Sequence, residues 1–300
     1  MNLVTRIFKN NRLAKAMTGL TKQEFDELLP VFAEDEYTER KLRRPDRQRK
    51  MGAGQKGTMK TTEEKLLCAL IYLKCYPTFD FLAIIIGGER TRACRNVHFL
   101  MKALERSLRR KLVFPERKIR SMEEFLEKFP EVKDLFLDGT ERRKERPKSQ
   151  KRQRKLYSGK KKGTMKKTLV VSNEKTQILI MTPSKSGRRH DKRLADKEHL
   201  ANVIPPRVTI WTDTGFQGMQ DKHPNVVMPK KATKKHPLTD AERQNNRTIS
   251  GIRVLSEHAI RGFKRFKAAA DTLRNRIAYA DDLMNRLAAG LWNLHLQQTT

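Results

Sequence analysis

Leu135-Phe-Leu-Asp-Gly-Thr-Glu141 reads as a short buried strand that ends on a carboxylate. Three large apolar residues in succession fit a strand covered on both faces, and the Asp-Gly that follows is turn chemistry. The same grammar recurs in Val208-Thr-Ile-Trp-Thr-Asp-Thr-Gly215, where Asp213 follows a second apolar run. Further strand-like runs lie at 168–171, 178–181 and 226–228, each bounded by charged, Gly or Pro residues. Long helical patterns then fill 238–267 and 277–296. Strands flanked by helices predict a mixed α/β or α+β domain over 131–300. A carboxylate just past a buried strand is held on a rigid element at the edge of the sheet, where ligands bind in such folds, so Asp138 and Asp213 are candidate catalytic acids. A turn residue or helix cap is the bland alternative for either one alone.

Residues 1–120 carry a different pattern, helical throughout. Thr21-Lys-Gln-Glu24 and Thr61-Thr-Glu-Glu64 are capping boxes placed ahead of apolar runs. Between them, residues 40–60 hold nine Lys and Arg against one Asp, with three glycines and one proline, which suits a basic loop or a phosphate-contacting arm. Near 78–105 a short apolar helix through Phe79, Leu82, Ala83 and Ile86 stops at Gly87-Gly88, and a longer one follows through Ala93, Val97, Leu100 and Leu104. That is the pattern of a helix-turn-helix, whose second helix presents its N-terminal side chains to the major groove. Here those are Arg90, Thr91, Arg92, Arg95 and Asn96. Helix pairs of this kind also occur in proteins that never touch DNA. Cys68, Cys75 and Cys94 form no CxxC pair and read as core thiols, not as a disulfide or zinc framework. Trp211 and Trp292 sit in apolar patterns and are expected in the core. No signal peptide or membrane-length apolar run is present, so a cytoplasmic, nucleoid-associated protein is expected, with no membrane partner.

Charge narrows the partner. The 300 residues include 66 Lys and Arg against 34 Asp and Glu, a formal net charge of +32, which excludes most ordinary metabolic enzymes and points to a polyanion. Residues 141–167 concentrate it, with 14 basic side chains and two Glu. A hairpin arm laid along a phosphate backbone through Arg142, Arg143, Lys144 and Arg146 is favoured over a disordered insertion. In the long helix, Ile249, Ile252, Leu255, Ala259, Phe263 and Phe266 fall on one face at about 100° per residue. Arg253, Glu257 and Lys264 share a narrow stripe opposite. The stripe reads equally as a solvated face with an ion pair, or as a metal-ligating Glu257 between cations that grip a DNA strand.

Asp138-Gly-Thr-Glu141, Asp213-Thr-Gly-Phe216 and Arg253-x3-Glu257-x6-Lys264 together resemble the DDE transposases of bacterial insertion sequences of families four and five. The usual helix signature there begins with Tyr, where this chain has Ser250. Gly187-Arg-Arg-His190-Asp191 is similar to an element of the harbinger-related branch. The order helix-turn-helix then catalytic domain, with spacings of 75 and 44 residues between the acids, extends the resemblance over most of the chain. It implies an RNase H-like mixed-sheet domain in which Asp138, Asp213 and Glu257, with Asp191 as a candidate further ligand, hold two Mg²⁺ or Mn²⁺ ions. It further implies hydrolysis at transposon ends, then attack of the freed 3′-hydroxyl on target DNA, without a covalent intermediate or a nucleotide cofactor. The partners implied are double-stranded DNA, as terminal inverted repeats and as target, and further copies of the chain in a homodimer or larger assembly. His190 and Asp191 read equally as a site pair or, for Asp191, as a helix cap. A catalytically silent DNA-binding descendant, another metal-dependent DNA endonuclease and a basic RNA-binding protein are the competing readings.

Overall fold

The computed structural model describes residues 3–48, 57–233 and 236–298. Their contacts divide the chain into two units, one of Met1–Phe114, Phe263–Asp271 and Asn275–Thr300, the other of Pro115–Gly262 and Thr272–Arg274.

The first unit is helical: α1 (Leu3–Ile7), α2 (Asn11–Thr18), α3 (Lys22–Arg43), α4 (Thr62–Cys75), α5 (Phe79–Ile86) and α6 (Arg90–Arg110). Both capping boxes form, with the Thr21 and Thr61 hydroxyls accepting from the Glu24 and Glu64 amides while each Glu returns to the cap amide. Each satisfies two otherwise orphaned donors, which is why α3 and α4 start where they do. The core is built from Leu28, Phe32, Leu66, Leu70, Leu73, Val97, Leu100 and Leu104, all fully buried. Cys68 is buried among them, and burial pushes its thiol up to about 12. The expected basic arm at 40–60 is in part the continuation of α3 to Arg43, and residues 49–56 lie outside the described residues.

In the second unit, α7 (Met122–Lys128) precedes β1 (Asp134–Arg143), α8 (Gln150–Leu156), β2 (Tyr157–Ser158), β3 (Gly163–Ser172), β4 (Ile178–Met181) and β5 (Lys185–Ser186). Then come α9 (Asp191–Lys197), α10 (Leu200–Val203), β6 (Thr209–Thr212), β7 (Val226–Val227) and α11 (Asp240–Lys264). The sheet order is β2-β3-β1-β6-β7, with β4 and β5 also pairing with β3. β1 runs antiparallel to β3 and parallel to β6, so the sheet is mixed. Leu135, Leu137, Leu169, Val171 and Ile210 pack one face against Phe125, Leu194, Leu200 and Phe216. On β1 and β6, Phe136 stacks on Trp211, whose indole N–H donates to Asp134 at 2.7 Å. Trp211 is thus half-buried with a polar anchor and not a core residue.

The structure revises three expectations. β1 does not end at Asp138 but runs on to Arg143, because β3 continues to pair with it; the ends of the basic stretch 141–167 thereby form one antiparallel ribbon, the hairpin form expected of them, with Glu141 opposite Lys167 and Arg143 opposite Met165, and α8 and β2 lie between them. Arg142 is 4% exposed, because side chains alternate along β1 and it shares the buried side with Thr140. It is therefore not a surface cation of the arm, whereas Arg143 and Arg146 are exposed. Finally, the last long helix does not join the sheet. It continues the first unit as α12 (Lys267–Ala270) and α13 (Ala280–Gln297), with Leu287, Leu291 and Leu294 buried. Gly290 admits Leu108 and Phe114 so closely that a Cβ there would stand 3.0 and 3.2 Å from them, and the Asn293 side-chain amide donates to the Val113 carbonyl at 2.8 Å. An apolar helix face states that it must be covered, but not by what.

Two substitutions test this architecture. Leu137→Ala, at the centre of β1, is expected to destabilise by about 2–5 kcal/mol through the reduced burial and the cavity left behind. Thr61→Ala should cost about 1 kcal/mol by removing one cap. Urea unfolding read by circular dichroism gives both values, and equal losses would contradict the assignment of Leu137 to the core.

Candidate active site

Two neighbouring strands set the site. β1 and β6 pair in parallel with Leu137 opposite Thr212, so the next residues, Asp138 and Asp213, stand side by side where that pairing stops, Asp138 still within β1 and paired with Val170 of β3, Asp213 just past the end of β6. The Thr212 hydroxyl fixes that register by donating to the Leu137 carbonyl at 3.1 Å. Asp138 accepts from the Gly139 amide at 2.6 Å. Asp213 caps a single 3-10 turn, Thr214–Phe216, by accepting from the Gly215 amide at 2.9 Å.

A third carboxylate comes from α9. Asp191 is its first residue, and a Cβ placed on Gly139 would stand 2.7 Å from the Asp191 Oδ1. A Cβ on Gly215 would stand 2.8 Å from the Asp213 Oδ1 and 3.6 Å from the Asp191 Oδ2. Two glycines thus leave the space in which three acids gather. Asp191 does not cap α9, since His190 precedes it as the cap residue, exposed and without a side-chain cap bond.

Cations balance this crowding. The buried Lys167 ammonium lies 3.0 Å from Asp191 and 3.2 Å from Glu141, and donates to the Arg189 carbonyl at 3.1 Å. Glu141 also accepts from the Ser158 hydroxyl at 3.0 Å. Burial works against the Lys167 charge, but Asp191 and Glu141 more than offset it and raise its pKa. Asp138 moves the other way for an acid: burial, with the Asp213 and Asp191 charges added, raises it to about 6, against the pull of the Gly139 amide and Arg253 of α11. A half-buried acid with a raised pKa beside like charges is a common mark of a functional site.

Glu257 is exposed on α11, one turn beyond Arg253, and is not among the charges that shift Asp138. Ser250 is exposed on the same helix, and Lys264, its last residue, falls in the first unit. Among the described residues, no three acidic, His or Cys side chains approach closely enough to hold one ion as they stand. Asp138 and Asp213 are instead each turned onto a glycine amide. The donor set still suits a hard divalent cation, since carboxylates crowded around bare glycine backbone repel one another until a cation joins them. The roles of Lys167 and Glu141 escape the sequence pattern, because the ion pair between them exists only through the β1–β3 register. Asp191 carried a signal in Gly187-x2-His190-Asp191.

In the first unit, Gly87 and Gly88 turn the chain between α5 and α6 at φ of 73° and 128°, values that favour glycine. Arg92 and Arg95 are exposed on the first turns of α6 and Asn96 is half-buried. Arg95 lines a cleft of about 560 Å³ with Arg43, Lys102 and Arg106.

A helix-turn-helix unit followed by a mixed sheet with acids paired on adjacent strands is the arrangement of the DDE superfamily endonucleases, and the chain belongs to that family. Residues 137–293 match the family described as DDE superfamily endonuclease, and residues 58–110 match the helix-turn-helix of DDE superfamily endonuclease. Among individual proteins, the chain is similar to the probable transposase for insertion sequence element IS702 of Microchaete diplosiphon, 29% identical over 286 residues, 95% of each chain. No solved structure matches. The fold is the RNase H-like one of this superfamily, whose endonucleases use divalent metal ions. No helix among the described residues is long and apolar enough to cross a membrane.

The Asp138 environment makes a pH prediction. Its folded pKa is raised from 3.8 to about 6, so the folded state holds this proton more tightly than the unfolded chain. The stability it lends is full below the unfolded value and is lost as pH rises through 6. Asp138→Asn should therefore flatten the stability profile over that window and be the more stable protein at neutral pH, by roughly 2–3 kcal/mol. Thermal unfolding of both proteins across pH, without divalent metal, checks this, and parallel profiles would contradict it.

Proposed function

We propose that the protein is the transposase of an insertion sequence, binding the terminal inverted repeats of the element as double-stranded DNA and cutting and joining strands by phosphoryl transfer. The observation that carries this reading is the side-by-side placement of Asp138 on β1 and Asp213 just past β6, with Asp191 packed against Gly139 and Gly215. When bound, Mg²⁺ or Mn²⁺, two ions per site, supplies activation of the attacking oxygen and stabilisation of the leaving one. Asp138, Asp213 and Asp191 would hold it, and Glu257 is the remaining acid assigned to the site.

The chain's own residues do the rest. The paired strands and the two glycines hold the acids on rigid backbone, which limits reorganisation when DNA enters. Lys167 neutralises Asp191 and Glu141, so the acids can be crowded without forcing α9 from the sheet. Arg253, close enough to stabilise the Asp138 carboxylate, offers positive charge to the scissile phosphate. Lys264 continues the same helix stripe and grips the strand. Exposed Arg143 and Arg146, with Lys144, lie along phosphates and position the duplex. Arg92, Arg95 and Asn96 on α6 read base edges.

Cleavage of a transposon-end duplex should need Mg²⁺ or Mn²⁺ and vanish in Asp138→Ala, Asp213→Ala and Glu257→Ala, and fall strongly in Asp191→Ala, while gel-shift binding survives. Retained cleavage in any one of them removes that residue from the site.

Neutralising Arg143, Lys144 and Arg146 should weaken all duplexes alike and flatten the log–log salt dependence by about 0.9 for each phosphate no longer engaged. Arg92→Ala or Arg95→Ala should instead reduce the preference for transposon ends over random duplex, by about 1–3 kcal/mol for each base edge read. Equal weakening on both duplexes would move base reading away from α6.

A further inference from the structure

The ribbon that continues β1 and β3 encloses a groove of about 970 Å³. Arg143, Arg154, Lys162 and Arg188 are among its walls, and none of the four has a carboxylate partner among the described residues. Among the residues lining it, Glu145 is the one acid. Cations gathered at such density without counter-charge repel one another, and a polyanion relieves the repulsion. The groove also contains an aromatic ring: Tyr157 is 50% exposed, although its backbone is fixed by pairing with Thr164 across β2 and β3. Beside it, a Cβ on Gly159 would meet nothing within 4 Å, which leaves bare backbone for close approach of a ligand.

We propose that this groove seats an unpaired DNA strand, with Tyr157 stacking on one of its bases. The inference rests on the transposase reading and deepens it: the ribbon's cations contact the phosphates of the duplex, and the groove between them takes an unpaired strand that continues from it. A duplex is contacted by elements that enter its grooves, and its base faces are already covered by their neighbours in the stack, so a rigid half-exposed ring in a concave basic cleft has nothing in a duplex to stack on. An unpaired nucleotide offers both a bare base face and a backbone that a cationic groove can follow, and this combination is how single strands are held without sequence preference. Position agrees with the proposal. Arg143 lies five residues past Asp138 on the same strand, about 17 Å along it, so a few unpaired nucleotides would extend from the acids to the groove.

The test uses the full-length protein without divalent metal and two fluorescent probes, a blunt duplex and the same duplex with a short oligo-dT tail carrying 2-aminopurine at its first unpaired position. The tail is expected to tighten binding about tenfold, and Tyr157→Ala to remove that gain while leaving the blunt duplex unchanged. Tyr157→Phe, which keeps the ring, should retain the gain. The 2-aminopurine emission should be quenched on binding the parent and Tyr157→Phe, but not Tyr157→Ala. Equal affinity of the parent for tailed and blunt duplexes overturns the proposal and leaves the transposase reading standing. So does an equal loss of affinity for both probes in Tyr157→Ala, which would make Tyr157 a structural support of the ribbon. Failure of the parent to bind either probe would overturn the DNA-processing reading and this one with it.

Discussion

The parallel pairing of β1 with β6 is the constraint on which the rest of the second unit depends. Leu137 opposite Thr212 places the following aspartates at the same level of the sheet, and a slip of one residue would send one of them to the opposite face. That register is held from two directions. Leu135, Leu137 and Ile210 commit one face to the core, and the Thr212 hydroxyl ties itself to the Leu137 carbonyl. Burial of apolar side chains therefore determines where two charges emerge, and the chemistry of the site is a consequence of the packing beneath it.

Gathering acids is unfavourable in itself, and the surrounding residues show how the fold accommodates it. Gly139 and Gly215 provide space and backbone amides, Lys167 takes up the charge of Asp191 and Glu141, and Arg253 partly offsets that of Asp138. What stays uncompensated is visible in the raised pKa of Asp138. The overall charge of +32 works on another scale. It draws a polyanion toward the whole molecule, whereas the local acids leave a small negative centre that a cation, not a phosphate, satisfies. The basic ribbon lies on the strand that carries Asp138, so the element that holds the acid also carries part of the phosphate-binding surface.

Much of this was legible in the amino-acid order. Helix starts at Thr21 and Thr61, the turn at Gly87-Gly88, the strand end before Asp213 and the helical unit ahead of a mixed sheet all follow from capping chemistry, glycine and apolar periodicity, whereas the expected strand end at Asp138 does not form, since pairing with β3 carries β1 on to Arg143. These are local signals, decided by residues within a turn or two of one another.

Tertiary structure alone decided the rest, for a reason common to every case: the partner is distant in sequence. Within a run of 14 cations nothing distinguishes Lys167 from its neighbours until β3 lies antiparallel to β1 and sets it opposite Glu141. Arg142 looks like Arg143 until strand alternation buries one and exposes the other. Asp191 reads equally as a site residue and as a helix cap until α9 brings it against Gly139 and Gly215. The apolar stripe of α13 demands a cover, and only the fold assigns it to the helical unit and not to the sheet. Sequence by itself determined which elements form and which charges they carry; long-range pairing and packing determined which of those charges meet.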